Sequence, residues 1–225
     1  ATLEAAVMAI LKRFKQPEDR YLCLCGGVAH NSVMNGNVVA DAIFEEVFVP
    51  PAPGDAGTAL GAAVQVAVDQ GHQFAPLQTA CLGPEFDNGQ IQQLLDTSGT
   101  PYVTVDNPAE RTAQLLAEGA TVAWFQGRAE FGPRALGARS LLANPCNAEM
   151  KDKVNRIKHR EKFRPFAPSA LHEVCPERFS TYGNSPFMSF TFPANEQGLS
   201  EFPASIHVDG SARVQSVQES DGLYC

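Results

Sequence analysis

Between Trp124 and Ser140 the sequence reads WFQGRAEFGPRALGARS, which sets Gly127, Gly132 and Gly137 five residues apart with Arg128, Arg134 and Arg139 among them. A guanidinium is a flat fork of donors that fits phosphate or carboxylate oxygens two at a time, and neighbouring glycines let backbone N–H groups approach the same anion. The next stretch, NAEMKDKVNRIKHREKFRPFAP, adds a run of lysines and arginines that closes with Arg160 and Arg164, stiffened by Pro165 and Pro168. From Arg128 to Arg164 ten bases face four acids, a net +6, inside a 225-residue chain whose net charge is −8. A sign reversal confined to one segment of an acidic chain focuses field on a small anion rather than coating a long polyanion. The alternative is a salt-bridged face, with Glu130 four residues before Arg134 and Glu161 close by. Four acids cannot pair ten bases, and the surplus lies in glycine-rich or proline-stiffened surroundings, which favours the anion site.

Two further stretches could meet a ligand. In CLCGGVAHNSVMNGN an apolar run passes through Gly26 and Gly27 into a helix beginning near Ala29. Paired glycines admit a ligand close to the backbone and a helix start offers free N–H groups to a phosphate, although the same residues also suit a plain tight turn. In VPPAPGDAGTALGAAVQVA, Asp55 follows Gly54 where a helix should start, ahead of Gly57 and a run of small residues. Its carboxylate is either an N-cap, typically worth ~1 kcal/mol, or a group held toward a metal or nucleotide. The cap is the simpler reading.

The elements that must position these residues alternate in period. Helical stretches such as AAVMAILKRF interleave with short apolar runs such as YLCLC, EVFVP and TVAWF, a rhythm that predicts an α/β or α+β class. A first unit runs to about Gln73, and GHQFAPLQTACLGPEF reads as a linker. A second unit begins near Phe86 with a helix, a strand YVTV, a helix PAERTAQLLAEG and the strand TVAWF. The glycine-arginine segment follows, then a helix from Asn147 to about Arg160. On that helix Met150, Val154 and Ile157 should face the core and Lys151, Asn155 and Lys158 a cationic side. Weaker strand patterns, MSFTF and ARVQSV, come last.

Six cysteines without a Cys-x-x-Cys pair or a His/Cys cluster read as buried or partly buried free thiols, with Cys23 and Cys25 on one face of a strand. No apolar run reaches the ~18 to 20 residues of a membrane span, and the N-terminal residues lack a signal-peptide layout, so a cytoplasmic location is expected.

Taken together, GGVAHNSVMNGN, PAPGDAGTALGAA, FQGRAEFGPRALGARSLLANP, KVNRIKHREKFRPFAPSAL and, more loosely, HVDGSARVQSV occur in the order of one family. The chain resembles the ATP-dependent O-carbamoyltransferases that modify nodulation factors, cephamycins and aminoglycosides. The resemblance implies part of an actin-like ATPase lobe over residues 1–82, linker included. It also implies an incomplete, twisted α/β domain of the YrdC-like, carbamoyl-adenylate-forming type over residues 83–225. It further implies that carbamoyl phosphate and ATP give a carbamoyl-adenylate, whose carbamoyl group passes to a hydroxyl of a small-molecule or glycan acceptor. In the family's pattern Arg134, Arg139, Lys158, Arg160 and Arg164 grip carbamoyl phosphate and the ATP phosphates. Gly26, Gly27 and Asn31 resemble nucleotide contacts, joined by Gly54 and Gly57 of the second glycine loop. Asp55 resembles a ligand of iron, magnesium or another divalent metal. His207, Asp209 and Arg213 match a looser motif with a substrate-side role.

Asn144 stands where the family usually carries aspartate, and His30 where it carries an apolar residue. The family's metal-binding histidine pair and its Asn-Thr-Ser-Phe-Asn motif are not in this sequence, so a portion of a longer enzyme is expected and Asp55 alone cannot make a metal site. Two rival readings stay open, a nucleic-acid-binding module related to tRNA-modifying proteins and an inactive fragment. Overall acidity and few aromatics beside the cationic segment disfavour nucleic acid. A homodimer is left open.

Overall fold

In the computed structural model, which describes residues 2–219, the N-terminal amphipathic pattern becomes α1 (Thr2–Phe14). It is followed by β1 (Tyr21–Cys23), a 3-10 turn (Gly27–His30), α2 (Ser32–Ala40), β2 (Glu46–Phe48) and α3 (Ala56–Asp69). β1 and β2 pair in parallel, Tyr21 opposite Glu46 and Cys23 opposite Phe48. Asn31 ends the 3-10 turn and starts α2, its Oδ1 accepting the Met34 N–H at 3.1 Å. Beyond the linker come α4 (Asn88–Ser98), α5 (Pro108–Ala117), β3 (Thr121–Phe125), β4 (Arg139–Ala143) and α6 (Met150–Ile157). Asp87 and Gln90 close a reciprocal cap on α4, and Asn107 caps α5 just before Pro108. The last part holds β5 (Ser169–Leu171), α7 (Cys175–Arg178), β6 (Phe192–Pro193), α8 (Glu196–Glu201), β7 (Ser211–Ala212) and β8 (Gln215–Val217). β5 runs parallel to β8, and β6 antiparallel to β7. The molecule is therefore a mixed α/β protein built on small two-stranded sheets.

The main core crosses the whole sequence. Ala29 and Val49 from the first β-α-β segment are buried with Ala170, Cys175, Phe179, Phe190, Phe192, Ala212 and Val214. Asn35, fully buried on α2, ties the two parts together: its Nδ2 donates to the Ala29 carbonyl at 2.8 Å and the Ser189 carbonyl at 2.9 Å. The next residue, Gly36, lies so close to the Thr191 backbone that a Cβ would collide with its carbonyl oxygen. Met150, Val154 and Ala204 form a second cluster with Ala143 and Phe166.

Several expected elements changed. The run YVTV is extended but pairs with no strand among the described residues, and Val103 is 85% exposed. β-branched residues favour a strand only where a neighbour accepts the ladder bonds. β4 was not anticipated; it lies opposite β3, Arg139 facing Phe125. α6 is shorter than expected, because the Asn147 side chain takes the Glu149 N–H in a turn and His159 beyond the helix has a left-handed backbone. Ile157 is exposed, and Asn155 is buried instead of lining a cationic side. Of the terminal patterns, only Phe192 of MSFTF and residues 212 and 215–217 of ARVQSV are in strands. Cys23, Cys25 and Cys146 are exposed, Cys81 is intermediate and Cys175 is buried, all as free thiols, whereas Cys225 lies outside the described residues.

The connection from β3 to β4 is shaped by one carboxylate. Glu130 Oε1 accepts the N–H groups of Leu136 at 2.7 Å, Ala138 at 2.8 Å and Arg139 at 3.1 Å. It therefore forms no pair with Arg134. Burial alone would push this carboxyl up, but the backbone donors outweigh it and hold it below the ordinary glutamate value.

Two outcomes test these ties. Asn35→Ala strands two buried carbonyls and should lower stability by about 1–3 kcal/mol, read as a shifted urea midpoint at unchanged slope. For Glu130, stability is fully present above the unfolded carboxyl value of about 4.3 and is lost as pH falls through the lower folded value. Glu130→Gln should thus be less stable near neutral pH, and the gap in Tm from the parent chain should narrow as pH drops below about 4.3.

Candidate functional site

The three arginines of the glycine-rich segment have different jobs. Arg128 Nε and Nη2 donate to the Gly83 and Leu82 carbonyls at 2.9 and 2.8 Å, which bolts the linker to the segment. Arg139 donates from Nη1 to the Gln126 and Ala138 carbonyls at 2.7 and 2.9 Å and from Nη2 to the Gly127 carbonyl at 3.1 Å. Its guanidinium also lies 3.5 Å from the centre of the Phe125 ring. Arg134 alone turns inward. Its loop sits on the first unit because Gly132, at φ +111°, touches the Pro51 carbonyl where any Cβ would collide.

Arg134 opens into a cavity of about 700 Å³ that Lys151, Lys158, Arg160, Arg164 and Arg213 also line. Among the described residues no aspartate or glutamate lines it. Arg134 Nη2 donates to the His30 carbonyl at 3.1 Å, while its buried Nε and Nη1 have no partner. The buried Nε atoms of Arg160 and Arg213 are likewise unpartnered. Burial, and next the charge of Arg213, push the Arg134 guanidinium down to about 10. Burial and then Arg160 push Arg213 down in turn. The cavity therefore gathers guanidiniums of like charge, each with at least one buried donor nitrogen left unpartnered. Arg160 additionally lies 5.3 Å from the Phe166 ring centre. Arg164 reaches the rim, where it pairs with the exposed Glu161 at 3.1 Å.

The buried Asn155 sets the far wall by donating to the Arg164 carbonyl at 2.9 Å and the Lys162 carbonyl at 3.4 Å. Met150, Val154, Phe166 and Ala204 give the cavity an apolar side. Asn144 lines it too, its Oδ1 accepting the Cys146 N–H at 2.9 Å, so the amide keeps one more carboxylate out of the enclosure.

Of the residues the sequence nominates, Arg134, Lys158, Arg160, Arg164 and Arg213 are brought together, and Arg139 is placed outside. Lys151, Asn144, Ser169 and Ser205 join the lining without having been nominated for it; Lys151 carried a signal as a helical neighbour of Lys158 and Asn144 as a departure from the family's aspartate, the others none. His207 is outside the lining. Its Nδ1 lies 3.2 Å from Ser211 Oγ, and burial pushes its ring below the ordinary histidine value. Asp209 raises it and the charges of Arg213 and Lys151 lower it further. Asp209 itself is spent in a turn, accepting from Ser211 N and Oγ at 3.0 and 2.7 Å.

The glycine stretches form a separate, open surface. Gly26, at φ +97°, donates its N–H to the Pro53 carbonyl at 2.7 Å, and open space lies beside both Gly26 and Gly27. Gly54 leaves room for the His30 ring, and Gly57 for the Ala52 carbonyl. The Asn31 side chain is committed to capping α2. Asp55 occupies the N-cap position of α3 but accepts no capping bond, which corrects the simpler reading. Its carboxylate is exposed, and no group of three or more His, Cys, Asp or Glu able to hold a metal occurs among the described residues. The divalent metal implied for the longer enzyme therefore does not fit this chain's residues by themselves.

Comparison with known proteins finds two family models along the chain. A family model described as carbamoyltransferase N-terminus matches residues 2–64, and one described as carbamoyltransferase C-terminus matches residues 113–224. The chain is 42% identical to nodulation protein NolNO of Sinorhizobium fredii, over 97% of this chain and 34% of that protein. It is 44% identical to nodulation protein NolO of Bradyrhizobium diazoefficiens, over 87% of this chain and 37% of the relative. Nodulation protein U of Rhizobium tropici is 36% identical over 93% of this chain and 35% of its own length. The chain thus spans about a third of the length of these curated relatives. With both of the family's terminal regions matched in order over most of its residues, the chain belongs to the carbamoyltransferase family.

Proposed function

We propose that the arginine cavity binds carbamoyl phosphate together with the phosphates of ATP, as the activating site of an ATP-dependent O-carbamoyltransferase. One observation carries this reading: the guanidiniums of Arg134, Arg160 and Arg213, each with a buried donor nitrogen that has no partner, share a cavity that no Asp or Glu among the described residues lines. A bound dianion supplies the countercharge that the protein withholds. Water cleaves carbamoyl phosphate to carbamate and inorganic phosphate, and when a carbamate oxygen then joins the α-phosphorus of ATP and pyrophosphate leaves, negative charge grows on phosphate oxygens at both steps. Donors already fixed in a dry site stabilise that charge without reorganising. Arg134 orients through its bond to the His30 carbonyl, while Lys158 and Arg164 guard the mouth.

In this reading residues 83–225 form the YrdC-like activating part, and residues 1–82 belong to an actin-like ATPase lobe that receives the carbamoyl-adenylate. The open glycine surface of Gly26 and Gly27 would face a nucleotide, and the acceptor is a hydroxyl-bearing small molecule or glycan. No step is routed through a metal.

Calorimetric titration of the chain with carbamoyl phosphate and with ATP should give saturable binding; heats of dilution alone for both would overturn the proposal. Arg134→Ala should cut carbamoyl-phosphate-dependent pyrophosphate release by about 10²–10³-fold, the usual cost of losing one preorganised donor. Arg139→Ala should instead lower Tm while leaving carbamoyl phosphate affinity near the parent value. Replacing a buried, unpaired charge by an apolar side chain is often neutral or stabilising. Arg213→Met should therefore hold or raise the ligand-free Tm and abolish the rise in Tm that carbamoyl phosphate gives the parent.

A further inference from the structure

Away from the cavity, Cys23 Sγ and Cys25 Sγ lie 3.8 Å apart, both exposed, where β1 ends. Residues two apart on an extended chain point to the same side, so the thiols face each other across Leu24 with nothing between them. Cys25 directly precedes Gly26. We propose that Cys23 and Cys25 are a reversible dithiol–disulfide pair, oxidised by a small disulfide such as glutathione disulfide, and that closing the bond bends the strand end leading into Gly26 and Gly27.

The bend follows from chain geometry. A strand rises ~3.3 Å per residue, which separates Cα atoms two apart by about 6.6 Å. Disulfides span roughly 4.4–6.8 Å between Cα atoms, with most near the middle of that range. Bonding the two sulfurs therefore draws the backbone together at the long edge of what the bond tolerates. Two backbone bonds hold it straight, from Leu24 N–H to the Phe48 carbonyl at 2.9 Å and from Gly26 N–H to the Pro53 carbonyl at 2.7 Å. A disulfide made against that resistance, at an exposed position, is readily reduced and suits a labile role rather than a structural one. Desolvation, and then Cys25 itself, push the Cys23 thiol above its ordinary value, so thiolate is scarce at neutral pH and exchange is slow. The position of equilibrium is the diagnostic quantity.

The exchange balances with one oxidant. The thiolate of one cysteine attacks a sulfur of glutathione disulfide, whose S–S bond breaks, and one glutathione leaves as a thiolate that takes up a proton. The second cysteine gives up its proton and attacks the protein sulfur of the mixed disulfide, expelling the second glutathione. Two protein thiols become one disulfide, and one glutathione disulfide becomes two thiols.

The 225-residue chain equilibrated in glutathione buffers of rising oxidised fraction, quenched in acid, alkylated and mapped by mass spectrometry reads this directly. Cys23 and Cys25 should lose alkylation together, in a peptide lighter by two hydrogens, while Cys81 and Cys146 stay alkylated. In Cys25→Ser the reaction should stop at a glutathione adduct on Cys23. Hydrogen exchange at the Leu24 and Gly26 amides should be severalfold faster in the oxidised chain. Separate glutathione adducts on both cysteines, or bonding of either to Cys81 or Cys146, would overturn the pair. Unchanged exchange at those two amides would overturn the bend.

Discussion

Arg213 repels both Arg134 and Arg160 in a cavity that no Asp or Glu among the described residues lines, and much of the surrounding structure serves to hold them there. Taking even one such ion out of water costs several kcal/mol unless it is paired, so a chain selected only for stability would have placed an acid among them. The missing countercharge is a property of the cavity rather than of the protein, which is strongly acidic elsewhere.

Holding like charges together requires anchors that are not themselves charged toward the cavity. Glu130 spends its carboxylate on three backbone N–H groups of the Arg134 loop, and Asn155 spends its amide on the carbonyls of Lys162 and Arg164. Arg128 and Arg139 do the same with carbonyl acceptors. Gly132 lets the loop lean on the Pro51 backbone, and Asn35 and Gly36 bind the first β-α-β segment to the last third of the sequence. The Arg134 bond to the His30 carbonyl links the cavity to the open glycine surface.

Much of this was legible beforehand. Charge adds along a sequence whatever the fold, so the excess of ten bases over four acids announced a local cationic surplus without knowledge of any distance. Helices with side-chain caps, such as α4 and α5, and the buried pair Met150 and Val154 follow from local periodicity and local bonds. Strand pairing is not local, which is why YVTV looked like a strand and stayed unpaired, while RSLLA became β4 only because TVAWF lies opposite it. The Asp55 cap misled for a related reason: residue type marks where a cap can form, but not whether the carboxylate turns toward the helix.

The sequence by itself determined the family, the sign of the local charge and the residue types able to grip a phosphate, because these depend on order and composition alone. Only the tertiary structure decided which guanidiniums are bolts and which face a ligand. Arg128, Arg134 and Arg139 are equivalent as text, yet the carbonyls that claim Arg128 and Arg139, and the emptiness around Arg134, exist only once distant segments have been folded against one another.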